Sequence, residues 1–444
     1  MLSKEELKRK VCAAIDARRD HLVRLGETIQ RNPETGFNEH QTAALVAQEM
    51  ERLGLAPQTG LALTGVKGRL AGGKAGPTLA VLGELDSLTV SDHPLAHPET
   101  GAAHACGHNA QVTGMLGVAM GLKESGALEH LAGSLVFMAV PAEELIEVEQ
   151  RLDKVAAGQL EFLLGKQELI RLGHFDDVDL VTMFHAASGL DTFARMMDSS
   201  NGALVKKIRF AGRAAHAGST PHLGINALNA ATIALAAIQA QRETFREEDT
   251  IRIHPIITKG GDAVSVVPAE VKVETFVRGR TIEAIQDANR KVDRSLRAGA
   301  LAMGCEVEIQ TIPAYLPQHN NADMGRLFEA NVAEMIGPGQ FPIGGHKTGS
   351  TDLGDVGHLL PVLYPNISGS EGATHSAAFQ ITDPDRLYVT SAKLLAMTAV
   401  DLLYDDAREA KGVLDRFQPS MTKDAYLKHQ RSLFHTERFS GAEA

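Results

Sequence analysis

The stretch His104-Ala105-Cys106-Gly107-His108-Asn109 sets a thiol and an imidazole on either side of one glycine, so both side chains reach one small volume from a tight loop. Thiolate, imidazole and carboxylate together are the ligands that zinc and similar divalent cations take up. Carboxylates stand at Gly83-Glu84-Leu85-Asp86 and at Glu143-Glu144, following apolar runs at 78–82 and 134–140. His185 follows a third run, 178–184, and His375 lies in Ala373-Thr374-His375-Ser376. Alone, Cys106 reads equally well as a small buried hydrophobe and His108 as a hydrogen-bonded loop residue. The matching positions of Glu143, Glu144, His185 and His375 tip the reading to a metal centre. Adjacent glutamates at a buried strand end are costly unless positive charge compensates them. A cation does so, and the pair then divides the work: one carboxylate ligates while its neighbour accepts a proton from water. Asp86 is placed either to orient a ligand histidine or to cap the next turn.

These residues need a scaffold, and the patterning supplies one. Thr42, Leu45, Val46, Glu49, Met50 and Leu53 recur at helical spacing across 39–53, and a second helical pattern covers 112–122. Helices alternating with apolar strands predict an α/β layer with a mostly parallel sheet, whose ligands gather at the carboxyl ends of the strands. From 201 to 316 the rhythm changes. Strands expected at 203–211, 251–257, 270–277 and 306–312, with helices at 224–240 and 282–303, give the βαββαβ order of a ferredoxin-like unit. It is an insertion, because signals of the first kind resume after Pro342. His216 sits in its strand-to-helix loop, while Arg278 and Arg280 end one of its strands and are candidates for gripping a carboxylate; ordinary solvated positions explain all three as well. The last forty residues read as a helix and a tail. The expected domains are 1–198 with 318–444, interrupted by a lid at 199–317.

Composition narrows the function. The 444 residues are 44% hydrophobic and 22% charged, as in a globular protein, and Lys plus Arg total 44 against 55 acidic residues, a net charge of -11. That balance argues against nucleic acid or an anionic membrane as partner. The absence of Trp and the 5% of aromatics argue against base stacking as well. Cys12, Cys106 and Cys305 lie too far apart to suggest a disulfide framework, and the opening MLSKEELKRK lacks the apolar stretch of a secretory signal. The expectation is a soluble cytoplasmic protein.

HACGHN, PAEE, FDDVDLVTMFHA, FAGRAAHAG, GGDAVSVVP and GSTDLGDVGHLLP together resemble the M20 metallopeptidase family over about 31–394. The resemblance is to its amidohydrolase branch, which holds aminobenzoyl-glutamate hydrolases, N-acyl and indoleacetyl amino acid hydrolases and M20 dipeptidases. It implies a mixed, mostly parallel sheet sandwiched by helices, of the di-metal exopeptidase kind, with a lid that also forms a homodimer. It further implies two divalent ions per chain, Zn2+ or Mn2+. Cys106, His108, Glu144, His185 and His375 match the metal ligands, Glu143 the general base, and Asp86 the acidic residue after the first strand. His216 matches the lid histidine that in relatives reaches the partner subunit's site, and Arg278 and Ser265 are the expected substrate contacts. Three positions depart from the family pattern: Asn109 where Asp is frequent, Ser265 where Asn is usual, and LIEVEQRLDK in place of a Gly-rich continuation after PAEE. The activity implied is hydrolysis of an N-acyl amino acid such as an acyl-glutamate or acyl-aspartate. A dipeptidase, or a weakly active partner subunit of a hetero-oligomeric hydrolase, are the alternatives.

Overall fold

A computed structural model describes residues 2–442. The chain forms two units: Met1–Ser199 with His319–Gly345 and Asp355–Ser420, and Ser200–Gln318 with His346–Gly354 and Met421–Ala444.

The first unit is built on a six-stranded sheet. Its strands β1 (Gln58–Leu61), β2 (Gly65–Ala71), β3 (Lys74–Glu84), β4 (Ala132–Val140) and β5 (Leu180–Thr182) are joined by Val362–Leu363, in the order β1-β2-β4-β3-β5 and then 362–363. β3 runs parallel to both β4 and β5, and 362–363 runs parallel to β5, whereas β2 is antiparallel to β1 and β4. The central strands are covered on both faces, which is why they read as unbroken apolar runs rather than alternating ones. Leu79, Val81, Leu135 and Phe137 are fully buried, and each such side chain stabilises the fold by about 1.5–3 kcal/mol. Helices α3 (His40–Arg52) and α4 (His108–Glu124) pack on the sheet, while α1 (Lys4–Ala17), α2 (Arg19–Arg31) and Ser391–Leu403 pack on α4. Every residue of α4 from His108 to Leu122 is buried. Gly114 permits this, since a Cβ there would stand 2.7 Å from the Phe184 ring.

His185 was expected to end the third strand. Instead β5 stops at Thr182, and His185 opens a separate strand, β6 (His185–Ser188), in a second small sheet. There β6 lies parallel to Asn366–Glu371, and the His185 amide donates to the Pro365 carbonyl over 2.9 Å. The chain changes sheets across Met183-Phe184, a crossing hidden by an apolar run continuous through both elements.

The second unit is an antiparallel sheet of β7 (Gly202–Ala211), β8 (Arg252–Ile253), β9 (Ile256–Lys259), β10 (Glu270–Gly279) and β11 (Glu306–Tyr315), with the helices Ala227–Ala240 and Ile282–Met303. β10 alternates buried and exposed side chains, so one face packs under the helices through Val271, Val273, Ala230, Ala234 and Leu296. The strand expected at 251–257 is split into β8 and β9 around Pro255, which has no N–H to give a ladder. A second difference lies at the C-terminus. The last forty residues, expected as a helix and a tail of the first unit, include the helix Lys423–Leu433, but in place of the tail stands the strand His435–Ser440, which pairs antiparallel with β11 and groups with the second unit. Phe439 packs against that unit's core. Among the described residues no helix is long and apolar enough to cross a membrane.

Candidate metal centre

Strand register brings the chemistry-bearing loops together. β3 and β4 are parallel with Glu84 opposite Val140, so Gly83-Glu84-Leu85-Asp86 and Pro141-Ala142-Glu143-Glu144 leave the sheet side by side. The Leu85 amide donates to the Val140 carbonyl over 2.9 Å and ties the two loops. Gly107 opens α4 at φ +85°, and a Cβ there would lie 2.7 Å from that of Ala186. Only glycine therefore lets the Cys106–His108 loop approach the strand that carries His185. His375, itself at φ +64°, donates its amide to the Ala105 carbonyl over 2.8 Å.

Two overlapping donor sets result. The ligand atoms of Cys106, His108 and His185 lie within 4.8 Å of one another, as do those of Cys106, Glu144 and His375. Cys106 Sγ is 3.2 Å from His185 Nε2, and His375 Nε2 is 2.9 Å from Glu144 Oε1. His108 turns its Nδ1 to the Asp86 carbonyl at 2.9 Å and to Asp86 Oδ1 at 3.2 Å, the arrangement that fixes a ligand imidazole with its other nitrogen forward. That forward nitrogen, His108 Nε2, is buried without a hydrogen-bond partner. Buried polar atoms are rarely left so. His108 belongs to the cluster with Cys106 and His185, and thiolate, imidazole and carboxylate suit a divalent cation. The residues fit the metal that the sequence implies.

Charge within the cluster is already separated. Burial alone would raise the Cys106 thiol, but the facing His185 and the adjacent His108 outweigh it and bring it down to about 5. His375 is pushed up to about 10 by its contacts with Cys106 and Glu144. Burial opposes ionisation of Glu144, yet its contact with His375 keeps its carboxyl below the ordinary range.

Glu143 is buried beside Glu144, and its carboxylate forms a third cluster with Glu84 and His108. Asp86 braces the site with both oxygens: Oδ1 faces His108 and Oδ2 accepts the Glu144 amide at 2.8 Å. Sequence reading missed three supporting residues, Glu39, Arg151 and Lys166, and gave a fourth, Glu84, no role. Glu39 Oε1 accepts the Ala142 amide at 2.8 Å, and Arg151 Nη2 donates to the Glu144 carbonyl over 2.6 Å, so the glutamate pair is held from both sides. Glu84 pairs with Lys166 at 2.6 Å, both fully buried. The one available signal was a charged residue, Glu84, closing an apolar run.

His216, Ser265 and Arg278 lie in the second unit. The Ala217 amide donates to the Ser265 carbonyl over 2.9 Å, which sets Ser265 against the His216 loop. His216 Nδ1 accepts amides from Gly218 at 3.1 Å and Ser219 at 3.0 Å, so the neutral ring carries its proton on Nε2 and offers a donor outward. Arg278 stacks over Phe276 at 4.7 Å and donates to Ser350 Oγ over 3.2 Å. It pairs with Ala203 at the start of β7, whereas His216 follows the end of β7. The strand rise puts about 25–30 Å between those two places. One copy of this unit does not bring Arg278 to His216.

Residues 199–302 match the peptidase dimerisation domain of the M20 family. The chain is 28% identical over 457 residues to the Xaa-Arg dipeptidase of Mus musculus, covering 95% of each chain. It is 25% identical to the IAA-amino acid hydrolase ILR1-like 4 of Arabidopsis thaliana, covering 82% of each. In fold it is similar to a Bacillus subtilis protein described as a dinuclear metal binding peptidase from the M20 family, with TM-score 0.65, 20% identity, and 87% of this chain and 99% of that one covered. A likeness of the same TM-score, 0.65, links it to an aminobenzoyl-glutamate utilization protein from Klebsiella pneumoniae at 19% identity, with 87% and 97% covered. A dimerisation domain match beside an α/β unit that gathers thiol, imidazole and paired carboxylates at its strand ends thus has its relatives among amide-bond hydrolases, and the chain is similar to the peptidases and amidohydrolases of the M20 family.

Proposed function

We propose that the chain hydrolyses the amide between an acyl group and an amino acid, as in an acyl-glutamate or acyl-aspartate, using two divalent cations. The observation that carries the reading is the pair of donor sets sharing Cys106, with Glu143 beside them. Cys106, His108 and His185 would hold one cation, and Cys106, Glu144 and His375 the other. Zn2+ and Mn2+ both suit these ligands. A cation bound there polarises the scissile carbonyl and makes water a better nucleophile at neutral pH.

The chain's own groups do the rest. Glu143 takes the proton from the attacking water and returns it to the leaving amine. Asp86, with both oxygens engaged, keeps His108 and Glu144 aimed. His216, locked as the Nε2–H tautomer, donates to the carbonyl oxygen as negative charge builds on it. Arg278 holds the amino acid's carboxylate. His216 and Arg278 stand at opposite ends of one lid sheet, so a substrate held by both takes them from two copies of the chain. That, with the match to a dimerisation domain, supports a homodimer. All three cysteines are free, which suits a reducing compartment such as the cytoplasm.

A second reading, hydrolysis of dipeptides, is favoured by the likeness to the Xaa-Arg dipeptidase across 95% of both chains. A panel of acyl-glutamates, indoleacetyl-aspartate, β-alanyl dipeptides and dipeptides ending in arginine, incubated with metal-loaded protein and read by mass spectrometry, separates the two. Release of free amino acid from the acyl conjugates supports the first reading. Cleavage confined to substrates with a free amine supports the second.

A further inference from the structure

The five ligands matched by family resemblance leave one buried group beside His108 without a task. Glu84, the last residue of β3, is fully buried, as is Lys166 near the start of the helix Gly165–Arg171. Lys166 Nζ is 2.6 Å from Glu84 Oε1, and Gln111 Nε2 donates to Glu84 Oε2 over 2.9 Å. The backbone amide of Glu84 in turn donates to Gln111 Oε1 over 3.1 Å. The carboxylate is thus gripped on both oxygens, and Oε2 still has a lone pair to offer.

That oxygen lies 3.1 Å from His108 Nε2. The contact is not a hydrogen bond, because His108 Nε2 has no hydrogen-bond partner. Two donor atoms about 3 Å apart and not bonded to each other are spaced like two ligands of one cation, each at about 2.0–2.2 Å. Glu84, His108 and Glu143 also place their ligand atoms within 4.8 Å of one another. A buried lysine–glutamate pair costs desolvation that its own attraction seldom repays. Lys166 and Gln111 make sense as the groups that hold the carboxylate in a fixed orientation for a further task.

We propose that Glu84 is an additional metal ligand, on the same cation as His108, with Lys166 and Gln111 as its positioning residues. The inference rests on the two-cation reading above. It gives the His108 cation a carboxylate that the Cys106, His108, His185 set lacks.

The test uses full-length apoprotein titrated with Co2+, followed by elemental analysis and by visible d–d absorption. Wild type is expected to bind two ions. Glu84→Gln is expected to weaken one of the two by more than about 100-fold, the upper end of what losing an outer-shell partner costs. Its Co2+ spectrum should intensify as the coordination number falls. Lys166→Met should weaken the same ion by about 10–100-fold with the spectrum largely kept. If Glu84→Gln fails to fold because the buried Lys166 loses its carboxylate, the double variant Glu84→Gln/Lys166→Met removes the buried pair together and gives the same readout. Two ions bound at wild-type affinity with an unchanged spectrum in the Glu84 variants would overturn the assignment while leaving the two-cation reading intact. Wild-type protein that takes up no Co2+ would overturn both.

Discussion

The carboxylate of Asp86 accepts the backbone amide of Glu144 over 2.8 Å, while its other oxygen faces His108 Nδ1 at 3.2 Å. One side chain thus aligns a residue from each of two donor loops. Asp86→Asn keeps the shape but leaves one oxygen for two donors, and its amide turns a donor toward the other. Metal affinity is expected to drop about 10–100-fold, measured by chelator competition on folded protein. Unchanged affinity for both ions would show that Asp86 does not orient the ligands.

Arg151 is 1% exposed, and its guanidinium donates to the carbonyls of Glu144 and Leu163 over 2.6 and 2.8 Å. It comes from the segment that replaces a Gly-rich continuation after PAEE. Arg151→Met removes both bonds; the Glu144 carbonyl keeps the Ile146 amide at 3.0 Å, while the Leu163 carbonyl loses its guanidinium donor at about 1–3 kcal/mol, offset in part by removing a buried charge. The turn carrying Glu143 then loosens. The expected outcome is a fall in kcat of about 10–100-fold with KM nearly unchanged and metal content retained.

Glu39 makes a pH prediction. Burial and the nearby Asp86 raise its carboxyl from 4.5 to about 7. Between those values the folded chain keeps a proton that the unfolded chain has lost, so stability falls as pH rises through that window and levels off above it. Glu39→Gln still accepts from Ala142 and donates to Thr64, and it removes the titration. Urea-unfolding midpoints taken in chelator from about pH 5 to about pH 8 should decline less in the variant. Parallel curves for the two proteins would contradict the assignment.

The C-terminal strand His435–Ser440 covers the edge of β11. Truncation after Phe434 unpairs that edge and exposes the apolar surface under Phe439. A loss of about 2 kcal/mol is expected, seen as a melting temperature lower by several degrees, with more light scattering from edge-to-edge association.

Much of this architecture was legible because buried strands and amphipathic helices announce themselves by period. The apolar run 134–140 falls within β4, and the pattern at 282–303 is the helix Ile282–Met303. Legibility failed where the deciding contact is distant in sequence. His435-Thr-Glu-Arg-Phe-Ser has the polar mix of a tail, and only its pairing with β11 makes it a strand. Arg151 sits in LIEVEQRLDK, noted only as a departure after PAEE, and nothing local shows that its guanidinium is turned inward to two carbonyls. Glu84 was overshadowed by Asp86 two residues on, and nothing local ties it to Lys166, eighty-two positions away. At the centre, residue types were informative because cation chemistry restricts them: Cys106, His108, Glu144, His185 and His375 come from four separated segments into two clusters.

The most direct measurement is turnover of Glu143→Gln with its metal content determined on the same sample. Glutamine keeps the shape of the side chain and cannot take a proton. If Glu143 is the general base, the variant binds two cations as wild type does, and kcat on the best substrate of the panel falls by about 10²–10⁴-fold. A variant that keeps both its metal and wild-type turnover contradicts that role.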